Sequence, residues 1–100
     1  MPALPGGSGI TTIEVACDRV GDGWTCRVAV ADDTGSGEHR VSVRTIDLER
    51  LAPGASAPED LVRRSFEFLL EREPRTAILP AFELPVIGRY FPGYERAIRD

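Results

Sequence analysis

The chain contains no lysine, no asparagine and no glutamine, and all twelve of its basic residues are arginine. Arginine, alanine, glycine and proline have GC-rich codons, so this bias reflects the base composition of a genome and not a mechanism. No apolar run approaches the roughly 20 residues needed to cross a bilayer as a helix. Met1 to Gly9 holds neither a basic residue nor an apolar stretch, which is not the pattern of a secretory signal. The expectation is a flexible N-terminal tail over residues 1–9, a single α+β domain over residues 10–100, and a cytoplasmic location. A net charge of −4 argues against broad, nonspecific affinity for nucleic acid or anionic membranes.

Reactive groups are equally scarce. There is one histidine, His39, and no acid–base pattern surrounds it in the sequence. The two cysteines, Cys17 and Cys26, have no neighbouring Cys or His with ligand spacing, so they form no metal pattern. In a reducing cytosol they are expected as free thiols packed like small hydrophobes. If Gly21 and Asp22 form a two-residue hairpin loop, Cys17 faces Cys26; an Asp22-Gly23 turn instead sets Cys17 opposite Val28. Asp32-Asp33 lacks the alternating ligands of a calcium loop and reads as a solvated turn. Gly6-Gly7-Ser8-Gly9 precedes all predicted structure and is no phosphate loop. Nothing calls for a cofactor or a metal.

The chain does contain well-marked periodicities. Thr11 to Asp18 and Trp24 to Ala31 alternate apolar and polar residues, the signature of half-buried strands. Gly21-Asp22-Gly23 between them supplies a tight hairpin. Asp32 to Glu38 reads as a loop, after which His39, Val41 and Val43 alternate with Arg40, Ser42 and Arg44 as a third strand. Short connections imply an antiparallel meander. Asp47 is expected to cap a short turn through Leu51. A long helix starts at Pro58, which suits the first helical position, and runs to about Glu73, where Pro74 discourages continuation. Its polar arc is Asp60, Arg63, Arg64, Glu67 and Glu71. Glu59 and Asp60, four residues before Arg63 and Arg64, favour ion pairs along the helix. Ala77 to Leu79 suits a short turn that Pro80 interrupts, and Pro85 opens a segment over Val86 to Phe91.

The predicted fold is therefore α+β: a three-stranded antiparallel meander followed by one long helix and short C-terminal helical segments packed on one face. Ile13, Val15, Cys26, Val28, Val30, Val41 and Val43 are expected beneath the helix, with Phe66 and Leu69 at the core's centre. Arg27, Arg40 and Arg44 belong to the opposite face, because neighbouring strand residues point to opposite sides.

The run from Pro58 to Pro74, then Ile78-Leu79, Phe82-Glu83-Leu84, Ile87 and Arg89-Tyr90-Phe91-Pro92-Gly93-Tyr94-Glu95, resembles a family of small uncharacterised bacterial proteins. The resemblance spans about residues 38 to 98. It implies a bacterial origin and carries over no catalytic residue.

Function is read from what remains. Tyr90, Phe91 and Tyr94 form an aromatic cluster suited to partner contact, since tyrosine combines apolar area with a polar tip. The expected function is a small non-catalytic binding or regulatory module acting through protein contacts, with itself or another protein and without a membrane. A homodimer is expected, through the second sheet face (Ala16, Thr25, Ala29, Ala31, Ser42) or through Tyr90 to Tyr94. The alternative is a small enzyme or enzyme subunit using His39 or a cysteine. A weak nucleic-acid binder using Arg40, Arg44, Arg63 and Arg64 is the third reading.

Overall fold

A computed structural model describes residues 11–54 and 57–99; the expected N-terminal tail lies outside them. Strand β1 (Thr12–Val20) pairs antiparallel with β2 (Gly23–Asp32), which pairs antiparallel with β3 (Gly35–Arg44). Helix α1 (Thr45–Leu51) follows directly, then α2 (Pro58–Leu70) and a single 3₁₀ turn, Arg75–Ala77. Strand β4 (Ala81–Glu83), α3 (Val86–Tyr90) and α4 (Tyr94–Arg99) complete the chain. The α+β class holds. The sheet, however, has four strands in the order β1-β2-β3-β4 and is mixed, because β4 runs parallel to β3.

The first hairpin is set by its turn. Gly21 takes a positive φ of 58°, which a residue with a Cβ rarely adopts. Gly21 and Asp22 become the two loop residues, and Val20 pairs with Gly23. Glycine at the first of two loop positions is the pattern of a type II′ hairpin, whose twist matches that of the strands. The same register brings Cys17 opposite Cys26, and the two form a disulfide with a Cα–Cα separation of 3.9 Å. The expectation of two reduced thiols is thereby corrected. Such bonds persist mainly in oxidising compartments.

The second hairpin is tighter than the composition of residues 32–38 suggests. Asp32 Oδ1 accepts from the Thr34 amide at 2.9 Å and from its hydroxyl at 2.6 Å. These bonds close the turn and hold the Asp32 carboxyl below its ordinary pKa. Strand β3 therefore begins at Gly35, inside the segment expected to be a loop. On the helix side of β3, a Cβ at Gly37 would lie 3.2 Å from the Arg75 guanidinium. Arg75 fills that space and pairs with Asp32 at 3.4 Å, tying the far end of the chain to this turn.

All helices cover one sheet face. Cys26, Val28, Val30, Val41 and Val43 are fully buried there, as the alternation requires. Ile13 and Val15 point the same way but are only half-buried, because β1 is an edge strand at the limit of the cover. Arg27, Arg40 and Arg44 are exposed on the opposite face. Helix α2 buries Leu61, Val62, Ser65, Phe66 and Leu69, and its expected polar arc is solvated. The ion pairs expected along that arc are absent. Arg63 instead donates to the Ile13 carbonyl on the β1 edge, and Arg64 donates to the Ile98 carbonyl at 2.7 Å. Both arginines donate to backbone oxygens of other elements instead of to α2's own carboxylates.

The Asp47 expectation is met in altered form. The carboxylate accepts from the Arg44 amide at 3.4 Å, capping α1 from its third position. The C-terminal third departs further. Helix α4 begins at Tyr94, just past the Pro92-Gly93 stop, and Ile98 buries its inner face. Strand β4 is held by Arg40 N–H to Pro80 O at 2.8 Å and Leu84 N–H to Ser42 O at 3.0 Å.

Phe66 is fully buried, with its ring centroid 5.4 Å from His39 and 6.0 Å from Phe82. Replacing it with alanine removes contacts with two strands at once and is expected to cost about 3–5 kcal/mol. Urea denaturation measures this as a lowered midpoint at unchanged slope. The disulfide closes a short loop, so reducing it with dithiothreitol is expected to lower stability by about 2–3 kcal/mol. Thermal melts with and without reductant, beside a free-thiol titration that finds none before reduction, check the bond and its contribution.

Candidate functional site

An apolar groove of about 220 Å³ opens where α2, β4 and α3 meet. The origin of its walls explains its position. Leu69 comes from the last turn of α2 and Glu73 from the turn that follows. The 3₁₀ segment contributes Ala77, Ile78 and Leu79. Phe82 projects from β4 on the core side, opposite Val41. Val86, Ile87, Tyr90 and Phe91 complete the far wall from α3 and the residue after it. Three prolines shape this region. Pro74 and Pro80 bracket the 3₁₀ segment, and Pro85 precedes the first residue of α3, where its fixed φ suits a helix start.

The groove is apolar at its base and selectively polar at its rim. Leu79 is 46% and Tyr90 68% exposed, two of the few large apolar side chains left to solvent among the described residues. Phe91 is half-buried and meets Phe68 edge-on with centroids 5.9 Å apart. Glu73 supplies the groove's one carboxylate. Tyr90 and Phe91 thus lie together in one wall of the groove.

Tyr94 does not. It is fully buried, shares a 2.7 Å hydrogen bond with Ser65 Oγ and packs edge-on against Phe68 at 5.4 Å. Ser65 in turn donates to the Leu61 carbonyl at 2.8 Å. Tyr94 therefore pins α4 to α2 from inside and offers no surface to a partner. The reason is helical phase: α3 ends at Tyr90 and a new helix starts at Tyr94, so their shared aromatic character does not put them on one face.

His39, which the sequence puts at the start of the third strand, lies further along it because β3 begins at Gly35. It is 7% exposed, in mid-β3, and its Nδ1 donates to the Leu79 carbonyl at 2.8 Å. Nε2 is buried with no hydrogen-bond partner among the described residues. No carboxylate or hydroxyl is bonded to the ring. The histidine holds the peptide of a groove residue against the sheet, which is a positioning role. The cysteines are joined to each other. Arg40 and Arg44 lie on the open sheet face, whereas Arg63 and Arg64 lie on α2 across the domain and bind backbone oxygens. They form no common basic surface. Among the described residues, no group of three or more His, Cys, Asp or Glu side chains could hold a metal ion, and no helix is long and apolar enough to cross a membrane.

Leu79, Ile78, Glu73 and Phe82 were not legible as site residues. The proline spacing signals an irregular segment but does not say which side chains it turns toward Tyr90. No protein-family model matches the chain, and no curated protein or solved structure matches it either.

Burial pushes the Tyr94 phenol up to about 12 from its ordinary 10.0. A raised acid pKa means the neutral form is favoured in the folded state. The associated stability is complete below about pH 10 and declines as pH rises from 10 toward 12. Urea midpoints recorded across that window are expected to fall by the equivalent of about 2–3 kcal/mol. In Tyr94→Phe the fall attributable to this group disappears, at the expense of a lower midpoint at neutral pH.

Proposed function

We propose that the protein is a small non-catalytic binding module acting through protein contacts, with the Tyr90–Phe91 groove as its contact surface. One observation supports this above the others: an apolar groove whose rim keeps Leu79 and Tyr90 in solvent. Its volume lies below the roughly 300–1,000 Å³ of pockets that enclose a whole small-molecule ligand. It suits a single apolar anchor from a protein segment, the arrangement in which a few buried side chains supply most of the binding energy. Glu73 at the rim favours a basic residue beside that anchor. The class of partner is therefore a peptide segment pairing an aromatic or branched aliphatic residue with arginine or lysine.

The placements of His39, the bridged cysteines and the dispersed arginines lend no support to the enzymatic or nucleic-acid alternatives. Selection from a random peptide library tests the proposal. Enriched peptides are expected to share an apolar residue adjacent to a basic one. Tyr90→Ala, and separately Leu79→Ala, are expected to weaken their binding about tenfold, near the 1.4 kcal/mol that truncating a contact anchor typically costs. Glu73→Arg is expected to abolish the preference for the basic residue. Equal affinity of the selected peptides for Tyr90→Ala would refute the groove as the binding surface.

A further inference from the structure

Among the described residues, no element covers the sheet face turned away from the helices. The register orders its side chains into rows across the strands. Glu14, Ala29 and Glu38 form one row, and Ala16, Arg27 and Arg40 form the next, about 7 Å along the strands. A shallow depression of about 300 Å³ lies between them, with Ala16 and Ala29 in its lining and Glu14 and Glu38 at either side. Among the described residues, none of Glu14, Arg27, Glu38 and Arg40 is in an ion pair; the pairs there involve other groups. Two acids and two bases without an ion pair among the described residues thus sit in adjacent rows, around a middle of small residues, with Asp18, Val20, Arg44 and Glu83 further out on the same face.

We propose that this face joins two copies of the chain about a two-fold axis running across the strands, midway between the two rows. Such an axis exchanges the rows while preserving position along them. Glu38 meets the partner's Arg40, and Arg40 meets the partner's Glu38. Arg27 lies over the partner's Ala29, in the depression between the partner's Glu14 and Glu38. All four charges of each copy are then satisfied.

Neighbouring axes fail this test. An axis on the arginine row sets Arg27 against its own copy and Arg40 against its own. One row further, Glu38 faces the partner's Arg44, but Arg40 faces Ser42 and Glu14 faces Val20, so these two of the four charges find no opposite partner. The same patch carries both halves of the contact at exchangeable positions, which is the property that a closed two-fold dimer requires and a different partner does not. Alanine in both rows lets the sheets approach to the ~10 Å of stacked sheets, with strands within about 30° of alignment.

Strands of nine and ten residues at ~3.3 Å per residue, three across at ~4.8 Å, bury roughly 450 Å² per copy. The total falls below the ~1,200–2,000 Å² of stable complexes. The dimer is accordingly weak, concentration-dependent and salt-sensitive.

Equilibrium sedimentation of the full chain from micromolar to millimolar concentration, at low and high salt, tests this. The mass is expected to rise from 10.9 kDa toward twice that value, and to do so less at high salt. Glu38→Arg and Arg40→Glu each place like charges face to face, and each is expected to weaken dimerisation at least about tenfold. Mixed one to one, the two variants present arginines against glutamates and are expected to associate again as a heterodimer. That recovery excludes misfolding as the cause of the loss. A mass fixed at one chain throughout would overturn the proposal. So would a dimer indifferent to both substitutions, or variants that fail to recombine while keeping native circular dichroism. Dimerisation lost instead in Tyr90→Ala would move the contact to the groove and overturn it equally, without bearing on peptide binding there.

Discussion

Phe66 holds the covered side of the molecule together. It descends from the middle of α2 to lie between the His39 ring on β3 and the Phe82 ring on β4. The contact with Phe82 matters most, because β4 has only three residues and three backbone pairs do not order a strand by themselves. Burial of an aromatic ring against a helix, with dispersion from many close atoms, supplies what the short ladder lacks. Once β4 is fixed, the 3₁₀ segment before it and α3 after it have nowhere else to go. The groove is thus a consequence of where one side chain is buried.

His39 extends the same dependence to the rim. Its ring packs on Phe66 while Nδ1 holds the Leu79 carbonyl, so the sheet, the core and the groove wall share one residue. A buried imidazole without a charged partner is costly to place unless one nitrogen is satisfied, and the Leu79 peptide satisfies it. The all-arginine composition contributes in a similar way. Arg63, Arg64 and Arg72 each donate to a main-chain carbonyl, of Ile13, Ile98 and Phe68 respectively. Arg72 also lies 3.7 Å over the Phe68 ring. A planar guanidinium with several donors can cover an apolar surface and reach a carbonyl at once, which an ammonium group does less well.

The two sheet faces reflect a limit of chain length. After the hairpins, the described chain has enough helix to cover one side of the sheet and none for the other. Among the described residues the uncovered side carries one large apolar residue, Val20 at the hairpin end, and is otherwise polar or small as a solvated antiparallel face is, yet it concentrates opposite charges in neighbouring rows. The two-fold pairing proposed above would use that arrangement.

Much of the fold was legible because side-chain periodicity is a local property. Alternation along β1, β2 and β3 assigned each valine and each arginine to its side, and the wide apolar arc of α2 placed Phe66 in the core before any contact was known. The groove was half legible: Tyr90 and Phe91 stood out by composition, while Leu79 and Glu73 did not. What tertiary structure decided were the matters on which local pattern is silent or divided. Gly21's backbone settled which of two turns forms, and with it whether the cysteines meet. Strand β4 exists only because the edge of β3 accepts it. Tyr94 lies inside and Tyr90 outside because a helix break between them resets the phase. The residues alone specify which way neighbouring side chains point relative to one another. Which distant segments share a register, and so which side chains end together at one surface, depends on burial summed over the whole chain.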